Sequence, residues 1–576
     1  MFAAGSVRPS LRTGPIPMSL RILITSALPY VNGIKHLGNL VGSLLPADVH
    51  ARFHRQIGSD VLFICATDEH GTPTEIAAAR AGQTPRAFCD AQHARQVEIY
   101  QRFGLSFDHF GRSSAASNHR LTQHFYRRLD DAGFIAERSV PQIWSPADGR
   151  YLPDRYVLGT CPHCGDASAR GDQCDTCGSL LDPVDLIAPR SVLSGDARLE
   201  VRESRHLFLR QSALVDVLRK WLDTRKDWPP FVNTLARSWL TEDLKDRCIT
   251  RDLTWGVPVP RAGFTDKVFY VWFDAPIAYI AATKDWALAS GGDWRTWWWG
   301  EAARETHYVQ FLGKDNVPFH TVSFPATLLG SGEPWHTADV IKGFHWLTHA
   351  GGKFSTSHGR GVFCDAALDA LPADLWRWWL IANAPESADA DFRTARFAAD
   401  VNKDLADILG NLVQRVVRFA ERAFEGRVPD GGEPGATEQV IAEEAAGRVA
   451  RLRAHHEARE FRRAASETRA LWSRANAYMQ EAAPWTTLKT DRARAALATR
   501  TTLNLVRLGA TVAWSIVPDL AARVLNILGD PPISAAPPWP EQVLPALLGQ
   551  VTAGQSLNSA RPLVEKVSLD QLAFAE

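Results

Sequence analysis

Residues 20–39 read LRILITSALPYVNGIKHLGN, and this stretch contains the junction that decides the fold. The apolar, β-branched run Leu20–Ser26 favours a buried parallel strand, and Leu37–Arg55 is typical of a helix. A second apolar run, Asp60–Ala66, ends at a polar cluster, so strand, loop and helix repeat in the βαβ manner. Three later runs also have strand length, at Val268–Phe273, Thr306–Leu312 and Val340–Phe344. The pattern predicts an α/β fold with a doubly wound, Rossmann-like parallel sheet.

The composition is that of an ordinary globular protein of several domains. The chain has 576 residues, of which 45% are hydrophobic and 22% charged, and this length is too great for a single core. Lys plus Arg and Asp plus Glu both number 64, so no overall field indicates a membrane or nucleic-acid partner, and any basic surface is local. No run of 18 apolar residues occurs, which excludes a membrane-spanning enzyme.

Changes in residue composition and spacing along the chain predict the domain boundaries. The cysteines and many turns fall between two sets of strands, which indicates an inserted domain, and helical spacing of Ala, Arg, Leu and Glu dominates later. The predicted divisions are a disordered N-terminal extension at 1–17, the first half of the Rossmann domain at 18–115, an inserted connective domain with a zinc knuckle at 116–230, the second half of the Rossmann domain at 231–350, a loop and linking segment at 351–395, a helical bundle at 396–540 and a C-terminal segment at 541–576. A transit peptide is the alternative for the extension, which has two arginines and no acid, but its three prolines argue against an amphipathic helix.

Four cysteines form the strongest local signal. Two C-x-x-C pairs, Cys161 with Cys164 and Cys174 with Cys177, lie close together in the sequence. Four thiolates at this spacing suit one tetrahedral Zn²⁺, and a site closed by four cysteines is structural because it keeps no open coordination position. The alternatives are two disulfides or inert thiols.

The turn between the first strand and its helix is a candidate phosphate site. In an open α/β sheet the ligand lies at the carboxyl ends of the strands, where a helix N-terminus offers free N–H groups. His36 and Asn39 would add side-chain donors there. The alternative is that such a histidine only caps the helix or lies at the surface.

A Gly-flanked basic loop, Gly351–Arg360, follows the last predicted strand. A loop of this kind can close over polyphosphate and exclude water. The alternative is a solvated surface turn.

Taken together, these elements resemble the class I aminoacyl-tRNA synthetases. The two signatures of that class are a HIGH-like tetrapeptide and a KMSKS-like loop, which stand here in the right order as His36-Leu-Gly-Asn39 and Lys353-Phe-Ser-Thr-Ser357. Further stretches make the chain similar to the methionyl-tRNA synthetase family: Ala27–Gly33 (ALPYVNG), Ala66–Pro73 (ATDEHGTP), Phe269–Pro276 (FYVWFDAP), Gly313–Asp315 (GKD) and the four-cysteine knuckle. The resemblance extends from Leu20 to about Leu528.

The resemblance implies a reaction and a set of ATP contacts. Members of the family activate methionine with ATP to give methionyl-adenylate and pyrophosphate, and then esterify the 3′ end of methionine tRNA. Since the methionine carboxylate is already a nucleophile, the enzyme supplies alignment and charge stabilisation. The implied ATP-binding residues are His36, Gly38, Asn39, Gly313, Asp315, Lys353 and Thr356. Among them His36, Asn39, Lys353 and Thr356 would be catalytic, and Mg²⁺ would bridge phosphate oxygens.

The resemblance also implies a methionine pocket. Aromatic and apolar walls suit a polarizable thioether, and a buried carboxylate can bind the ammonium group of an amino acid. The matching positions are Leu28, Tyr30, Trp272, Ala275, Pro276, Tyr279 and His320, with Asp68 facing the ammonium. Taken alone, each aromatic would be ordinary core.

In the predicted bundle, Asn411, Arg415 and Trp485 occupy positions at which the family reads the anticodon. Single-stranded RNA is recognised by stacking bases on aromatic rings and by hydrogen bonds to base edges. Several arginines could follow the tRNA phosphates, namely Arg418, Arg422, Arg451, Arg462 and Arg463. For about half of them the expected alternative is a solvated helix face paired with glutamates.

Two residues depart from the family pattern. Asn39 replaces the final histidine of the first signature, which the family tolerates. Thr356 replaces the second lysine of the loop, so one charge is missing, although His358 or Arg360 could reach in.

The expected function is therefore that of a methionine-tRNA ligase. The alternatives are a catalytically weakened paralogue that binds methionine, adenylate or tRNA, and a ligase for another carrier or analogue. We expect the protein to be cytoplasmic. We also expect a monomer, because the sequence ends within about 50 residues of the last bundle helix and lacks the extra domain of roughly 100 residues through which some relatives dimerise.

Overall fold

The computed structural model describes residues 20–171, 174, 176–177, 179, 181–241, 244–354, 359–532, 535–541, 549–558 and 562–575. The predicted extension at 1–17 lies outside the described residues, as does Thr356. In the described part of the chain, no helix combines the length and the apolar character needed to span a bilayer.

A five-stranded parallel sheet forms the core of the first half of the chain. Its strands are β1 (Arg21–Ser26), β2 (Asp60–Thr67), β3 (His109–Arg112), β13 (Thr306–Gly313) and β14 (Val340–Phe344). The order is β14-β13-β1-β2-β3, with β1 in the centre, where Arg21 pairs with both Asp60 and Thr306. Its apolar side chains are buried on both faces, as in α/β proteins generally. The predicted fold class is confirmed.

One predicted strand is wrong. The segment Val268–Phe273 is not part of this sheet, because β12 covers only Val268–Phe269 and pairs antiparallel with β11 (Thr250–Arg251). The chain then turns into a short helix at Val271–Asp274. A short apolar run fits a buried turn as well as a strand, which is why periodicity could not separate the two. The fifth strand of the sheet is β3, whose sequence HFGR carried no strand signal.

Helices cover both faces of the sheet. The helix after β1 runs without a break from α1 (Leu37–Asn39) through a π-helical turn at Leu40–Leu44 to α2 (Leu45–Gln56). The other helices before the bundle are α3 (Thr72–Arg80), α4 (Pro85–Arg102), α5 (Ala116–Asp131), α6 (Val215–Asp223), α7 (Pro230–Trp239), α8 (Val271–Asp274), α9 (Ala278–Ser290), α10 (Arg295–Trp298), α11 (Phe324–Gly330), α12 (Cys364–Ala370) and α13 (Ala373–Ala382).

An antiparallel insertion lies between β3 and β13. Its long ribbon pairs β4 (Ile135–Ser145) with β9 (Glu200–Leu209). The smaller strands are β5 (Arg150–Tyr151), β6 (Val157–Thr160), β7 (Ala169–Arg170), β8 (Ile187–Ser191) and β10 (Arg247–Cys248). Strand β6 leads directly into the first cysteine pair. The side chains around it form a second hydrophobic core, separate from that of the parallel sheet.

The second half of the chain is a helical bundle. Its elements are α14 (Thr394–Val401), a π-helical segment at Asn402–Gly410, α15 (Asn411–Phe424), α16 (Ala436–Glu457), α17 (Phe461–Ala482), α18 (Pro484–Thr487), α19 (Arg492–Ala513) and α20 (Pro518–Ile527). Three short strands precede or join it, β15 (Leu347–His349), β16 (Gly352–Lys353) and β17 (Ala390–Phe392). The chain then returns to the parallel-sheet domain, where the Trp539 ring packs edge-on against Phe53 at 5.2 Å.

Candidate active site

A cavity of about 420 Å³ opens at the carboxyl ends of β1, β2 and β13. The strand order reverses at β1, because β2 lies on one side of it and β13 on the other. Such a switch point is where open α/β sheets bind ligands. The residues predicted for the site that line this cavity are Leu28, Tyr30, His36, Gly38, Asn39, Asp68, Trp272, Gly313, Asp315 and Lys353.

His36 and Asn39 cap the helix that begins at Leu37. The Asn39 N–H donates to His36 Nδ1 at 3.2 Å, and the His36 N–H donates to Asn39 Oδ1 at 3.3 Å. The two residues therefore form the cap that was considered as an alternative. Nε2 of His36 and the amide NH₂ of Asn39 take no part in it. Burial, together with the charge of Lys35, lowers the pKa of His36 to about 3. The imidazole is thus neutral near pH 7 and carries its proton on Nε2.

The Lys353 loop packs directly onto this helix start. The ring of Phe354 stacks on His36, with 4.8 Å between the ring centres. The Leu37 N–H donates to the Val362 carbonyl at 2.9 Å, which holds the returning end of the loop. Gly361 has a φ of +120°, and a Cβ there would lie 2.0 Å from the Phe354 ring, so only glycine fits. Lys353 and Phe354, the described part of the second signature, therefore meet the first signature in one site.

Lys353 lies at the mouth of the cavity. Its ammonium group is 4.2 Å from the centre of the Trp346 ring, and the side chain is exposed. Arg360 donates one hydrogen bond to the His349 carbonyl at 3.2 Å, and whether it supplies the missing charge stays a prediction. Thr356 and His358 lie outside the described residues, so their predicted roles stay predictions.

Asp315 and Gly313 line the wall formed by the end of β13. A Cβ at Gly313 would lie 2.7 Å from an oxygen of Asp315, so the carboxylate packs against bare backbone. Burial raises the pKa of Asp315. A ribose hydroxyl is a group that such a carboxylate could bind.

Asp68 lies at the end of β2, opposite Tyr30. The two backbones form a bridge in which the Asp68 N–H donates to the Pro29 carbonyl at 2.9 Å. The Tyr30 hydroxyl donates to the His70 carbonyl. Asp68 Oδ1 is buried and has no hydrogen-bond partner among the described residues. Burial, with the charges of Asp274 and Glu69, raises the pKa of Asp68 well above its usual range.

The other residues predicted for the methionine pocket fall into two groups. Trp272 lines the cavity and stacks on Phe319, with 3.8 Å between the ring centres. Four residues do not line it and are buried in the wall instead: Ala275, Pro276, Tyr279 and His320. The Tyr279 hydroxyl and His320 Nε2 are 3.0 Å apart, and His320 Nδ1 donates to the Asn316 carbonyl at 3.0 Å. Since Nδ1 carries the proton, the Tyr279 hydroxyl donates to Nε2.

Lys35 is a cavity residue that sequence reasoning missed. Lys35 lines the cavity although the residue is only 5% exposed. Lysine is almost never this buried, and in the sequence Lys35 is one charged residue in a glycine-containing turn. The segment that covers it is distant, because the Cys364 N–H donates to the Lys35 carbonyl at 2.9 Å. No local signal could have identified it.

The four cysteines of the insertion can hold a metal ion. The sulfur atoms of Cys161, Cys164, Cys174 and Cys177 all lie within 4.8 Å of one another. Cys161 and Cys177 are 3.9 Å apart, and Cys164 and Cys174 are 3.6 Å apart. A disulfide would place two sulfurs about 2.0 Å apart, so the disulfide alternative is wrong for this arrangement. Gly165, with a φ of +76°, turns the backbone after the first pair.

The predicted anticodon residues share one face of the bundle. Arg415 and Trp485 line a depression of about 350 Å³ together with Arg418 and Arg422. The Arg415 guanidinium lies 5.2 Å from the centre of the Trp485 ring and donates to Gln480 at 3.1 Å. Asn411 is exposed one turn earlier on α15 and does not line the depression.

The five arginines proposed to follow tRNA phosphates differ in their partners. Arg451 pairs with Glu467 at 3.3 Å and Arg463 with Glu460 at 2.8 Å. Within the described part of the chain, Arg418 and Arg422 are exposed and form no ion pair. The expected mixture of paired and unpaired arginines is therefore present.

Comparison with known proteins decides the family. A family model described as "tRNA synthetases class I (M)" matches residues 22–417, and one described as "Anticodon binding domain of methionyl tRNA ligase" matches residues 428–575. The chain belongs to the methionyl-tRNA synthetase family. The second match also includes almost all of the C-terminal segment at 541–576, for which no role was predicted.

Individual relatives agree with this assignment. The methionine–tRNA ligase of Caulobacter vibrioides (strain NA1000 / CB15N) is 55% identical over 561 residues, covering 96% of this chain and 98% of the relative. That of Ruegeria sp. (strain TM1040) is 54% identical over 562 residues, covering 96% and 97%. Among solved structures, Mycobacterium tuberculosis methionyl-tRNA synthetase in complex with methionyl-adenylate is similar with a TM-score of 0.75 and 27% identity, covering 94% of this chain and 99% of that chain.

Proposed function

We propose that this protein is a methionine-tRNA ligase that forms methionyl-adenylate from methionine and ATP and then esterifies the 3′ end of methionine tRNA. The observation that carries the proposal is the single cavity in which the capped His36 turn, the Lys353 strand and Asp68 meet. Phosphate-binding and ammonium-binding groups at one switch point suit a reaction between ATP and an amino acid.

The first step needs alignment rather than proton transfer. The methionine carboxylate attacks the α-phosphorus of ATP, and pyrophosphate leaves with the bonding electrons. His36 Nε2–H and the amide of Asn39 are fixed donors toward the phosphates, because their other polar atoms are used in the helix cap. Lys353 meets the charge that develops on the leaving pyrophosphate, and Gly313 and Asp315 bind the ribose. Donors fixed in advance cost no reorganisation during the reaction.

Mg²⁺ is the proposed metal partner of ATP. When bound with ATP, it would neutralise part of the charge on the phosphates. The protein then has to position the triphosphate, which is the role that we assign to Gly38 and to the Lys353 loop. A Cβ on Gly38 would lie 3.0 Å from the His36 ring, so a larger residue would press on the donor.

The methionine side chain is proposed to lie against Leu28, Tyr30 and Trp272. The wall behind them consists of Ala275, Pro276, Tyr279 and His320, which we propose to set the shape of the pocket. Burial lowers the pKa of His320 to about 4. The Tyr279–His320 pair therefore stays neutral near pH 7, as suits a site for an uncharged thioether.

The cysteine cluster is proposed to hold one structural Zn²⁺. With Zn–S bonds of about 2.3 Å, a tetrahedral site spaces its sulfurs about 3.8 Å apart, and the separations of 3.9 and 3.6 Å support this. Metal analysis should give one zinc per chain, and Cys161→Ser together with Cys174→Ser should abolish it. Zinc retained in that double variant would contradict the assignment.

On the bundle, Asn411, Arg415 and Trp485 are proposed to read the anticodon of methionine tRNA. The depression at Trp485 and the unpaired arginines beside it support an RNA loop as ligand. We further propose that the protein acts as a monomer in the cytoplasm. Sedimentation that gives a stable dimer at micromolar concentration would contradict the monomer.

Two assays test the function together. Methionine-dependent ATP–pyrophosphate exchange reports activation, and acceptance of methionine by purified tRNA reports transfer. We expect both activities, with exchange lost in Asp68→Ala and preserved in Trp485→Phe. Exchange without any charging of tRNA would favour the weakened paralogue. Charging of a different carrier would favour a ligase for that carrier. No observation in the structure supports either alternative.

A further inference from the structure

The cavity contains a buried ammonium group to which neither signature assigns a role. Lys35 is 5% exposed, and its Nζ donates to Asn32 Oδ1 at 3.0 Å. Among the described residues no carboxylate forms an ion pair with it. An amide oxygen does not neutralise a buried charge, and a charge held without a counterion is costly to the fold. This cost indicates that a ligand supplies the missing anion.

Asp68, in the same cavity, lacks a hydrogen-bond donor just as Lys35 lacks an anion. Its Oδ1 is buried without a hydrogen-bond partner, although Lys35 and Asp68 act on each other electrostatically. The cavity therefore holds one unpaired acceptor and one unpaired cation that do not pair with each other. A free amino acid carries an ammonium and a carboxylate on the same α-carbon and fits both.

We propose that Lys35 binds the α-carboxylate of methionine while Asp68 binds its α-ammonium, so that the two side chains hold the zwitterion. The inference rests on the proposed function, because it takes methionine as the substrate of this cavity. Lys35 directly precedes His36, which we have assigned to the ATP phosphates. Binding there holds the nucleophilic oxygen beside the phosphates that it must reach.

The carboxylate is favoured over the ATP phosphates as the ligand of Lys35. The ammonium of an amino acid favours the charged form of the nearby Asp68 and pairs with it, whereas a triphosphate would be repelled by that charge and would favour the neutral form. Phosphates also have the helix start at His36 and the exposed Lys353 available at the mouth of the cavity. Burial lowers the pKa of Lys35 to about 8, so the group is mostly charged near pH 7.

L-Methioninol gives the test, because it keeps the side chain and the ammonium but has CH₂OH in place of the carboxylate. Calorimetric titration of the full chain should show methionine bound more tightly than methioninol. Lys35→Met should weaken methionine binding about 10- to 100-fold, the size expected for a charged hydrogen bond, and should change methioninol binding less than about twofold. Lys35→Arg should retain part of the preference, and the exposed control Lys220→Met should leave it unchanged.

A structural role for Lys35 would give different results. Removing an unpaired buried charge should leave the melting temperature of Lys35→Met unchanged or raise it, whereas loss of a structural contact would lower it. In the wild type, the preference for methionine over methioninol should also decline as the pH rises above about 8, and in Lys35→Arg it should persist.

Two outcomes would overturn the inference. One is equal weakening of methionine and methioninol in Lys35→Met. The other is a loss of ATP affinity with the methionine preference intact, which would assign Lys35 to the phosphates. Failure of the proposed function would look different, since the wild-type protein would then show no methionine-dependent exchange at all.

Discussion

The active-site cavity and the Trp485 face of the bundle both present positive charge, but they hold it in opposite ways. In the cavity, Lys35 is buried, and the neighbouring His36 donor is fixed by a helix cap. On the bundle, Arg418 and Arg422 are exposed and form no ion pair in the described part of the chain. One site keeps its charge away from water before the ligand arrives, and the other leaves it in water.

The difference follows from what each site must do. A desolvated, immobile donor acts strongly on charge that develops during a reaction. Solvated arginines attract a polyanion from a distance, adapt to it and are weakened by salt. Substitutions in the cavity should therefore change the chemical step, and substitutions on the bundle should change binding of tRNA.

The largest effect is expected at His36. His36→Ala should lower the rate of ATP–pyrophosphate exchange about 100- to 1000-fold, because a preorganised donor to the phosphates is lost. Affinity for tRNA should not change, as measured by filter binding. His36→Asn separates the two roles of the residue, since asparagine caps helices well but lacks the Nε2 donor. Recovery of activity in His36→Asn would mean that only the cap matters.

Trp485 tests the other side of the comparison. Trp485→Ala should lower charging of methionine tRNA about tenfold to a hundredfold, because stacking of a base on an aromatic ring contributes about 1–3 kcal/mol. Exchange should remain at the wild-type rate, and Trp485→Phe should keep most of the charging activity. Equal losses in the two assays would mean that Trp485 is part of the core and does not contact RNA.

A third prediction concerns Thr356, the position at which the second lysine of the loop signature is replaced. Thr356→Lys should raise the rate of adenylate formation at least about tenfold, since the lysine would place a positive charge beside the phosphates, where negative charge develops in the transition state. The KM for methionine should change little. Stopped-flow measurement decides, with Arg360→Ala and His358→Ala as companions. If Arg360→Ala or His358→Ala strongly lowers the rate of adenylate formation while Thr356→Lys has no effect, the residue replaced by alanine already supplies the charge.

The smallest effect is expected where the helical bundle packs against α2 of the parallel-sheet domain. His456 of the bundle stacks on Phe53 of α2 with 4.8 Å between ring centres, and neither of its ring nitrogens has a partner among the described residues. Burial, with the nearby His54 and His455, lowers the pKa of His456 to about 3. His50 and His54 on α2 are likewise buried with lowered pKa values, and the charge of Arg459 contributes.

These histidines are neutral when folded and can be protonated when unfolded below their ordinary pKa of about 6.5. Stability should therefore fall as the pH drops below about 6.5, by about 2 kcal/mol for one such histidine at pH 5. His456→Phe keeps the ring stack and should reduce the slope of unfolding free energy against pH, with exchange activity retained at pH 7.5. An unchanged slope in denaturant titrations would contradict this account.

Much of the catalytic half could be predicted from local sequence. The apolar run at β1 and the helix after it have clear periodicity, and the cysteine spacing predicts the cluster that the structure forms. The strand predicted at Val268–Phe273 failed because buried aromatic residues at a turn have the same local pattern as a strand. Strand β3 was missed because its four residues include a histidine, a glycine and an arginine.

The features that escaped prediction depend on contacts between distant segments. Lys35 is buried only because the chain around Cys364 closes over it, and the stacking of Phe354 on His36 joins two motifs far apart in the sequence. Local pattern cannot report such contacts. The roles of individual site residues likewise stay predictions, and so do the domain boundaries.

The central position of β1 also has a consequence for how the protein is made. Its partner β13 is synthesised long after it, and the cavity is complete only when Phe354 reaches His36. The β4–β9 ribbon, by contrast, joins segments much closer in sequence and can form while β13 is still within the ribosome. The edge of β1 that pairs with β13 stays unpaired during that interval, whereas β2 already lies between β1 and β3. We expect ribosome-bound chains that end near residue 300 to have a folded insertion and a protease-sensitive β1, and chains longer than about 380 residues, which free residue 354 from the exit tunnel, to protect it.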